Sequence, residues 1–395
     1  MRFSDGLKDL NGAATREILK LTQRPEVISF AGGMPSADCM PCETVGEIAA
    51  EILSSRAPYV LQYGRTEGCA ELNAELVGYL CGLGLDASER TVQVVSGGQQ
   101  GLDLMCKAFV NAGDTVLVEN PTYLVFLQIA KTYGANIVGV ESGDEGLDAN
   151  DLERKLKRYS PKLLYIVPTF SNPTGRTYSA QNRKEIVELC AKYDTVIIED
   201  DPYGKLRYSG GEVPTVKSFD KTGNAVYVTS FSKTVAPGLR VAAVHGDERI
   251  VRKVSIGKQG ADVQNPALTQ LIIAEYLRRG CFYPNLERSI SVYRKRRDAM
   301  LDAIARYMPS EADYTRPDGG LFVWMTLPER IDCKSLLPRA IEQNVAYING
   351  DEFFSDGSGR NTLRLNFSNA DEQKIDKGIK ILSEIFKKAI TEAAK

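Results

Sequence analysis

Lys233 lies in the stretch TSFSKTVAPGLR (229–240), directly after the short apolar run AVYV (225–228). A lysine beside a buried strand is expected where something uses its amine, because lysine is otherwise seldom fully buried. Ser230, Ser232 and Arg240 in the same stretch add two hydroxyls and a guanidinium, a set suited to an anion. Other apolar runs empty into comparable residues. TVQVV (91–95) leads into SGGQQGLD, where Gly98 and Gln99 would open a helix whose free N–H groups and dipole suit a phosphate. TVLVE (115–119) leads to NPTY and Tyr123, and KLLYIV (162–167) leads to PTFSNPTG and Asn172. TVIIE (195–199) leads to DDPYG, with Asp200, Asp201 and Tyr203 expected beyond the strand. A carboxylate there is costly without a cationic partner. Singly, each has a plainer reading: Lys233 in a solvated loop, Tyr123 in a core, Asn172 in a turn, Asp200 as a helix cap. Together they make a phosphate cradle, an aromatic ring, a carboxylate, two hydrogen-bond donors and a lysine. That inventory fits a phosphorylated pyridine aldehyde. The lysine forms a Schiff base with the aldehyde, and the carboxylate keeps the ring nitrogen protonated so that the ring accepts electrons.

Positioning these side chains calls for strands whose ends converge. From about residue 90 to 245, seven apolar runs alternate with amphipathic segments; besides those above, with AVYV extending to AVYVT (225–229), they are NIVGV (136–140) and VAAV (241–244). GLDLMCKAFVNAG (101–113) repeats Leu102, Met105 and Phe109 at helical spacing. SAQNRKEIVELCAKY (179–193) opens on Ser179, a capping residue, and carries Ile186, Leu189 and Cys190 on one face. Continuously apolar strands separated by helices predict an α/β fold with a mostly parallel, mainly seven-stranded sheet covered by helices. Its ligand crevice lies beyond the carboxyl ends of the strands. Residues 264–308 read as helical, with YRKRRD (293–298) as a solvated face. GLFVWMTL (320–327) and TLRLNF (362–367) read as strands. The last helix, 370–389, places Ile375, Ile379, Leu382, Phe386 and Ala389 on one face, with Ser368 and Asp371 as a capping box. The expected division is a large domain over 46–285 and a smaller α/β domain from 1–45 plus 286–395.

Bulk properties narrow the classes. The 395 residues suit two or three domains. A net charge of −2 implies no basic face, so neither nucleic acid nor an anionic membrane is an expected partner. No apolar run approaches the roughly 20 residues that span a bilayer, and the N-terminus has no apolar signal region, so a cytoplasmic address is expected. Eight cysteines are then expected to be reduced; Cys39 and Cys42 form a lone CxxC, CMPC, without a second pair for zinc. The one histidine, His245, reads as a strand-end residue, which argues against histidine-based catalysis or metal sites. GxGxxG and GxxxxGK[ST] are both absent, which disfavours the usual dinucleotide and P-loop enzymes.

SNPTG, EDDPYG and SFSKTVAPGLR, in this order and spacing, resemble the fold-type I pyridoxal-phosphate aminotransferases of class I/II. ISFAGGMP (28–35), LQYGRTEG (61–68), VSGGQQGLDL (95–104), ENPTY (119–123) and TLRLNF extend the resemblance over nearly the whole chain. TREILKLTQRPEVISFAGGMP and the lysine stretch are most similar to the 2-aminoadipate and kynurenine aminotransferase group. The resemblance implies pyridoxal 5′-phosphate as cofactor and Lys233 as the residue linked to it. Asp200, which stands three before Tyr203 as in the family's D-x-x-Y, would pair with the ring nitrogen. Tyr203 and Asn172 would hold the ring oxygen and Tyr123 would stack on the ring. Gly98, Gln99, Ser230, Ser232 and Arg240 would hold the phosphate. Tyr63 would reach the phosphate of a neighbouring subunit, which implies a homodimer with a shared site. Arg364, in the polar phase of TLRLNF, would clamp the substrate α-carboxylate, with Asn172 and Gly33 beside it. Arg16 in ATREILK matches a position that can recognise a distal carboxylate, and reads equally as a solvated helix charge. SADCMP (36–41) and VAAVHG (241–246) depart from the family pattern and bear on pocket shape. The implied reaction moves an amino group from a dicarboxylic or aromatic L-amino acid to 2-oxoglutarate. A β-lyase or decarboxylase could use the same cofactor site. The effector-sensing half of a transcription regulator shares the fold too, but carries an added winged-helix domain for which ISFAGG at residue 28 leaves no room.

Overall fold

The computed structural model describes residues 1–8, 24 and 26–394. Its strands, in chain order, are β1 (Ile28–Ser29), β2 (Val92–Val95), β3 (Thr115–Asn120), β4 (Asn136–Gly143), β5 (Gly146–Leu147), β6 (Leu163–Ile166), β7 (Val196–Asp201), β8 (Ala225–Ser230), β9 (Ala242–His245), β10 (Asp313–Tyr314), β11 (Phe322–Thr326), β12 (Val345–Ala346), β13 (Ile348–Asn349) and β14 (Thr362–Asn366).

The main sheet runs β2-β9-β8-β7-β6-β3-β4-β5. All seven expected strands form, and a two-residue eighth, β5, folds back antiparallel on β4. Strands β3, β4, β6, β7 and β8 are mutually parallel. Strand β9 runs antiparallel to both its neighbours, β8 and β2. That reversal sets Arg240, just ahead of β9, at the edge where β2 and β8 end. The period-two alternation of strands divides the apolar residues between two faces. Val116, Val118, Leu163, Tyr165, Ile198, Val226 and Val228 join one core. Leu117, Leu164, Ile166, Ile197 and Ala225 join the other, beneath helices such as Ala180–Lys192. Burial on both faces is why these strands read as unbroken apolar runs. Ser179 caps that helix, its hydroxyl accepting from the Asn182 N–H at 3.3 Å.

The second body holds an antiparallel sheet, β10-β11-β14-β13, and a parallel pair, β1 with β12. The pair joins the N-terminal segment to the C-terminal part. Ile375, Ile379, Leu382, Phe386 and Ala389 on the helix Glu372–Glu392 are buried against it, as their spacing predicts. The expected junctions after residues 45 and 285 both fall inside helices, Cys42–Val60, which kinks at Arg56, and Phe282–Tyr307.

Three local expectations are corrected. YRKRRD is a solvated face only in part. Arg294 and Lys295 are exposed, but Tyr293 and Arg296 are buried, because their positions share the inward stripe with Met300. Arg296 pairs with Asp38 at 3.0 Å and donates to the Ser368 carbonyl, which compensates its burial. The last helix is capped by Asp371 alone, accepting from the Lys374 N–H at 2.7 Å; Ser368 is buried and its hydroxyl donates to the Met34 carbonyl. Asp200 and Asp201 lie inside β7 rather than beyond it, paired with Val228 and Thr229. Among the described residues no helix is long and apolar enough to cross a membrane, and no three His, Cys, Asp or Glu side chains group to hold a metal. Cys39 is buried, Cys42 is exposed, and all eight cysteines are free thiols. His245 ends β9, buried, with Nδ1 3.0 Å from the Thr91 carbonyl.

Candidate active site

The carboxyl ends of the parallel strands open on a cavity of about 350 Å³. Gly33, Gly98, Gln99, Tyr123, Asn172, Asp200, Tyr203, Ser230, Ser232, Lys233, Arg240 and Arg364 all line it. Tyr63 does not; it stands 81% exposed on the surface. Arg16 lies outside the described residues.

One end of the cavity is built for an anion. The turn between β2 and the helix Gly98–Phe109 passes through Gly97 at φ +79°, where a Cβ would sit 2.0 Å from the Arg240 guanidinium. Only glycine allows that approach. The helix has no side-chain cap; its Gln100 N–H turns back to the Gly97 carbonyl at 3.1 Å, and Gly98 and Gln99, which open it, line the cavity. Arg240 itself adopts the left-handed region at φ +52°, uncommon for a residue with a Cβ. Its guanidinium donates to the Ser96 carbonyl at 3.1 Å and lies 3.5 Å from Ser232 Oγ. Asn265 fastens the same corner, its Nδ2 donating to Ser96 Oγ at 3.3 Å and the Arg240 carbonyl at 3.4 Å.

At the floor, successive residues of β7 face opposite ways. Asp200 faces the cavity, while Asp201 takes the Tyr227 hydroxyl and the Gly204 N–H, each at 2.8 Å. Burial pushes the Asp200 carboxyl up to about 7; the Tyr165 hydroxyl, 2.8 Å away, opposes the rise and Asp201 adds to it. Among the described residues no lysine or arginine neutralises Asp200. Lys233 is half-buried and its Nζ donates to the Gly33 carbonyl at 2.7 Å. Burial, then the Arg364 and Arg240 charges, pull its amine down to about 8, which makes it a usable nucleophile and base near neutrality. Tyr123, just ahead of the helix Leu124–Thr132, forms another wall; burial pushes its phenol up to about 12.

The smaller body supplies the opposite wall. Arg364 projects from β14, 5% exposed, and donates to Asn172 Oδ1 and the Ala31 carbonyl, each at 2.6 Å. Among the described residues its Nε has no partner, and burial holds the guanidinium down to about 10. The charge rests over Phe322 at 4.2 Å and Phe353 at 5.0 Å rather than on a carboxylate. Five donors on a buried cation, with two engaged by neutral acceptors, leave a place for an anion. Tyr203 stands edge-on to Phe322 with ring centroids 5.7 Å apart.

Sequence reasoning missed Tyr165, Phe322, Phe353 and the Ala31 carbonyl. Tyr165 had a signal, the one hydroxyl in an otherwise aliphatic strand; a backbone carbonyl, Phe322 inside an apolar run and Phe353 in the loop GDEFFSDG had none.

These residues fit pyridoxal phosphate on their own chemistry. The anion cradle suits the phosphate, Asp200 lacks the cation that a protonated ring nitrogen would bring, and a half-buried lysine of lowered proton affinity lines the same cavity. Comparison with known proteins agrees. The sequence matches the family Aminotransferase class I and II over residues 25–382. It is 40% identical to aromatic-amino-acid aminotransferase 1 of Thermococcus litoralis, over 98% of this chain and 94% of that one. It is 39% identical to the 2-aminoadipate transaminase of Thermus thermophilus, over 98% and 96%. The crystal structure of Pyrococcus horikoshii kynurenine aminotransferase, solved with PMP, superposes with a TM-score of 0.94 at 39% identity, covering 98% of this chain and 97% of that one. The chain belongs to the class I and II aminotransferases. It is a fold-type I enzyme of pyridoxal phosphate that transfers amino groups.

Proposed function

We propose that the enzyme moves the amino group of an aromatic or dicarboxylic L-amino acid to 2-oxoglutarate, in the cytoplasm, as a homodimer. The observation that carries the reading is the placement of Lys233, Asp200 and Arg364, whose guanidinium rests on neutral acceptors, around one cavity. Pyridoxal phosphate supplies an aldehyde that links to amines and a ring that delocalises the electrons left when the bond to hydrogen at Cα breaks. Lys233 would hold the aldehyde carbon, and its amine, once freed, would carry the proton that leaves the substrate Cα. Asp200 would keep the ring nitrogen protonated, and Tyr203 and Asn172 would orient the ring oxygen. Tyr123 covers the ring face. Gly98, Gln99, Ser230, Ser232 and Arg240 hold the phosphate. Arg364, steadied by Asn172, takes the α-carboxylate, with Gly33 beside it.

Met34, Val125 and Ile348 give the cavity an apolar lining that suits an aromatic side chain. The names of the Thermococcus and Thermus relatives support the aromatic and the dicarboxylic arm respectively. Arg16 would serve the dicarboxylic arm. Tyr63 and Leu61, both strongly exposed, suit cover by a second subunit, whose phosphate Tyr63 would reach. Free thiols throughout suit a reducing compartment. We take the large body as 46–285 and the small one, which brings Arg364, as 1–45 with 286–395.

A panel of amino donors with 2-oxoglutarate tests the reading. Glutamate formation from aromatic donors and from 2-aminoadipate is expected; release of ammonia or carbon dioxide without glutamate would overturn it. Arg16→Ala should raise KM for the dicarboxylic donors alone, and an unchanged KM removes its assigned role.

A further inference from the structure

Asp200 is held from behind by a residue that the cavity does not see. Tyr165 sits in β6 opposite Ile198 of β7, and Asp200 is two residues further along the same face. The tyrosine is fully buried, and its hydroxyl donates to Asp200 Oδ2 at 2.8 Å. Its ring lies flat on Phe126, with centroids 3.8 Å apart and planes 10° from parallel. Phe126 belongs to the helix that follows Tyr123. A phenol clamped in this way has little freedom to turn its O–H elsewhere.

The carboxylate is thereby divided. Oδ2 is engaged by Tyr165, and it is the only hydrogen bond that Asp200 side-chain oxygens take among the described residues. Oδ1 lies on the cavity side, 3.9 Å from where a Cβ on Gly98 would stand. A carboxylate gripped at one oxygen cannot spin about its Cβ–Cγ bond, and a donated hydrogen bond favours its anionic form.

We infer that Tyr165 is a positioning residue: through Asp200 Oδ2 it fixes the carboxylate as an anion with Oδ1 aimed at the cofactor's ring nitrogen. This deepens the cofactor assignment and rests on it. A hydrogen bond to a charged group is worth enough that its loss weakens a dependent ion pair by about tenfold or more. Any effect of Tyr165 on binding has to pass through the ring nitrogen, which sets it apart from simple packing.

The experiment measures the affinity of the apoenzyme for two probes, pyridoxal 5′-phosphate and its 1-deaza analogue, in which carbon replaces the ring nitrogen. Tyr165→Phe keeps the stack on Phe126 and removes only the donor. Its affinity for pyridoxal phosphate should fall about tenfold, while its affinity for the deaza analogue should match that of the unaltered enzyme within about twofold. Equal affinity for pyridoxal phosphate in both proteins overturns the inference. So does an equal loss for both probes, which would mean packing alone. Should Tyr165→Phe fail to fold, 3,5-difluorotyrosine placed at position 165 keeps the ring and strengthens the donor. Tighter binding of pyridoxal phosphate is then expected, and unchanged or weaker binding overturns the inference. The unaltered enzyme reports on the cofactor assignment separately: no binding of pyridoxal phosphate there would defeat that assignment, whatever the variants do.

Discussion

Two neighbouring residues of β7, Glu199 and Asp200, are both buried, and burial pushes both carboxyls up to about 7. They face opposite sides of the sheet and meet opposite treatment. Glu199 accepts the backbone N–H groups of Val216 and Lys217 at 2.8 and 2.7 Å and lies 3.8 Å from Arg183. Arg183 in turn donates to the carbonyls of Tyr178, Pro214 and Pro168 and to Thr169 Oγ1. Nearby, Glu119 takes the Val167 N–H and the hydroxyls of Ser171 and Tyr178. This region closes its own hydrogen-bond account and braces the loop that carries Asn172. Across the sheet, among the described residues, Asp200 has one hydrogen-bond partner, Arg364 has neutral partners only, and Lys233 leans on a backbone carbonyl. A raised or lowered proton affinity is common to both regions. What separates the working groups from the brace is unmet capacity facing a cavity.

Removing a charge from each side should expose the difference. Lys233→Ala deletes both nucleophile and proton carrier, so turnover should fall by roughly a thousandfold or more, with the apoprotein melting where the unaltered one does. Steady-state rates and a thermal scan check both halves. Arg183→Ala should do the reverse. Stranding Glu199 and four acceptors destabilises the fold by about 3–5 kcal/mol, read from denaturant unfolding, while each molecule that folds keeps most of its rate. Equal stability in this variant would dissolve the contrast.

Arg364→Lys is a milder break. The ammonium keeps the charge but not the fork that reaches Asn172 and Ala31 while holding a carboxylate. A loss of roughly a hundredfold in kcat/KM is expected, carried mainly by KM if Arg364 binds ground and transition states alike.

How legible these regions were in the sequence follows the same divide. Residues that end strands in chemistry, such as Lys233, Asp200 and Asn172, stand out because polar groups interrupt apolar runs. The brace was invisible. Arg183 sits on a helix among exposed charges, and only the tertiary fold shows it buried beneath the Pro168 loop. Arg296 misled for the same reason: in YRKRRD the inward residue differs from its neighbours only by helical phase, which composition does not report. The reversal of β9 was also hidden, since a four-residue apolar strand carries no mark of direction. The capping of the last helix went to Asp371 because Ser368 was already committed to Met34 across the fold.

The smallest effect expected is one of pH, and two lysines frame it. Lys258 is fully buried, and burial lowers its proton affinity too, but Asp262 lies 2.7 Å away and opposes the shift. Among the described residues Lys233 has no carboxylate partner, and the cations Arg364 and Arg240 add to the effect of its burial. An amine is a nucleophile only when neutral, and a lowered pKa means neutrality begins at lower pH. The rate at which apoenzyme captures pyridoxal phosphate covalently should therefore rise with pH through a midpoint near 8 and then level off. Borohydride reduction at that pH, followed by peptide mapping, should find the label on Lys233 and not on Lys258. In Arg364→Gln one repelling charge is gone, so the midpoint should move upward, and only modestly, because burial is the larger cause and remains. A midpoint that stays fixed, or moves down, would mean that Arg364 does not act on the Lys233 amine.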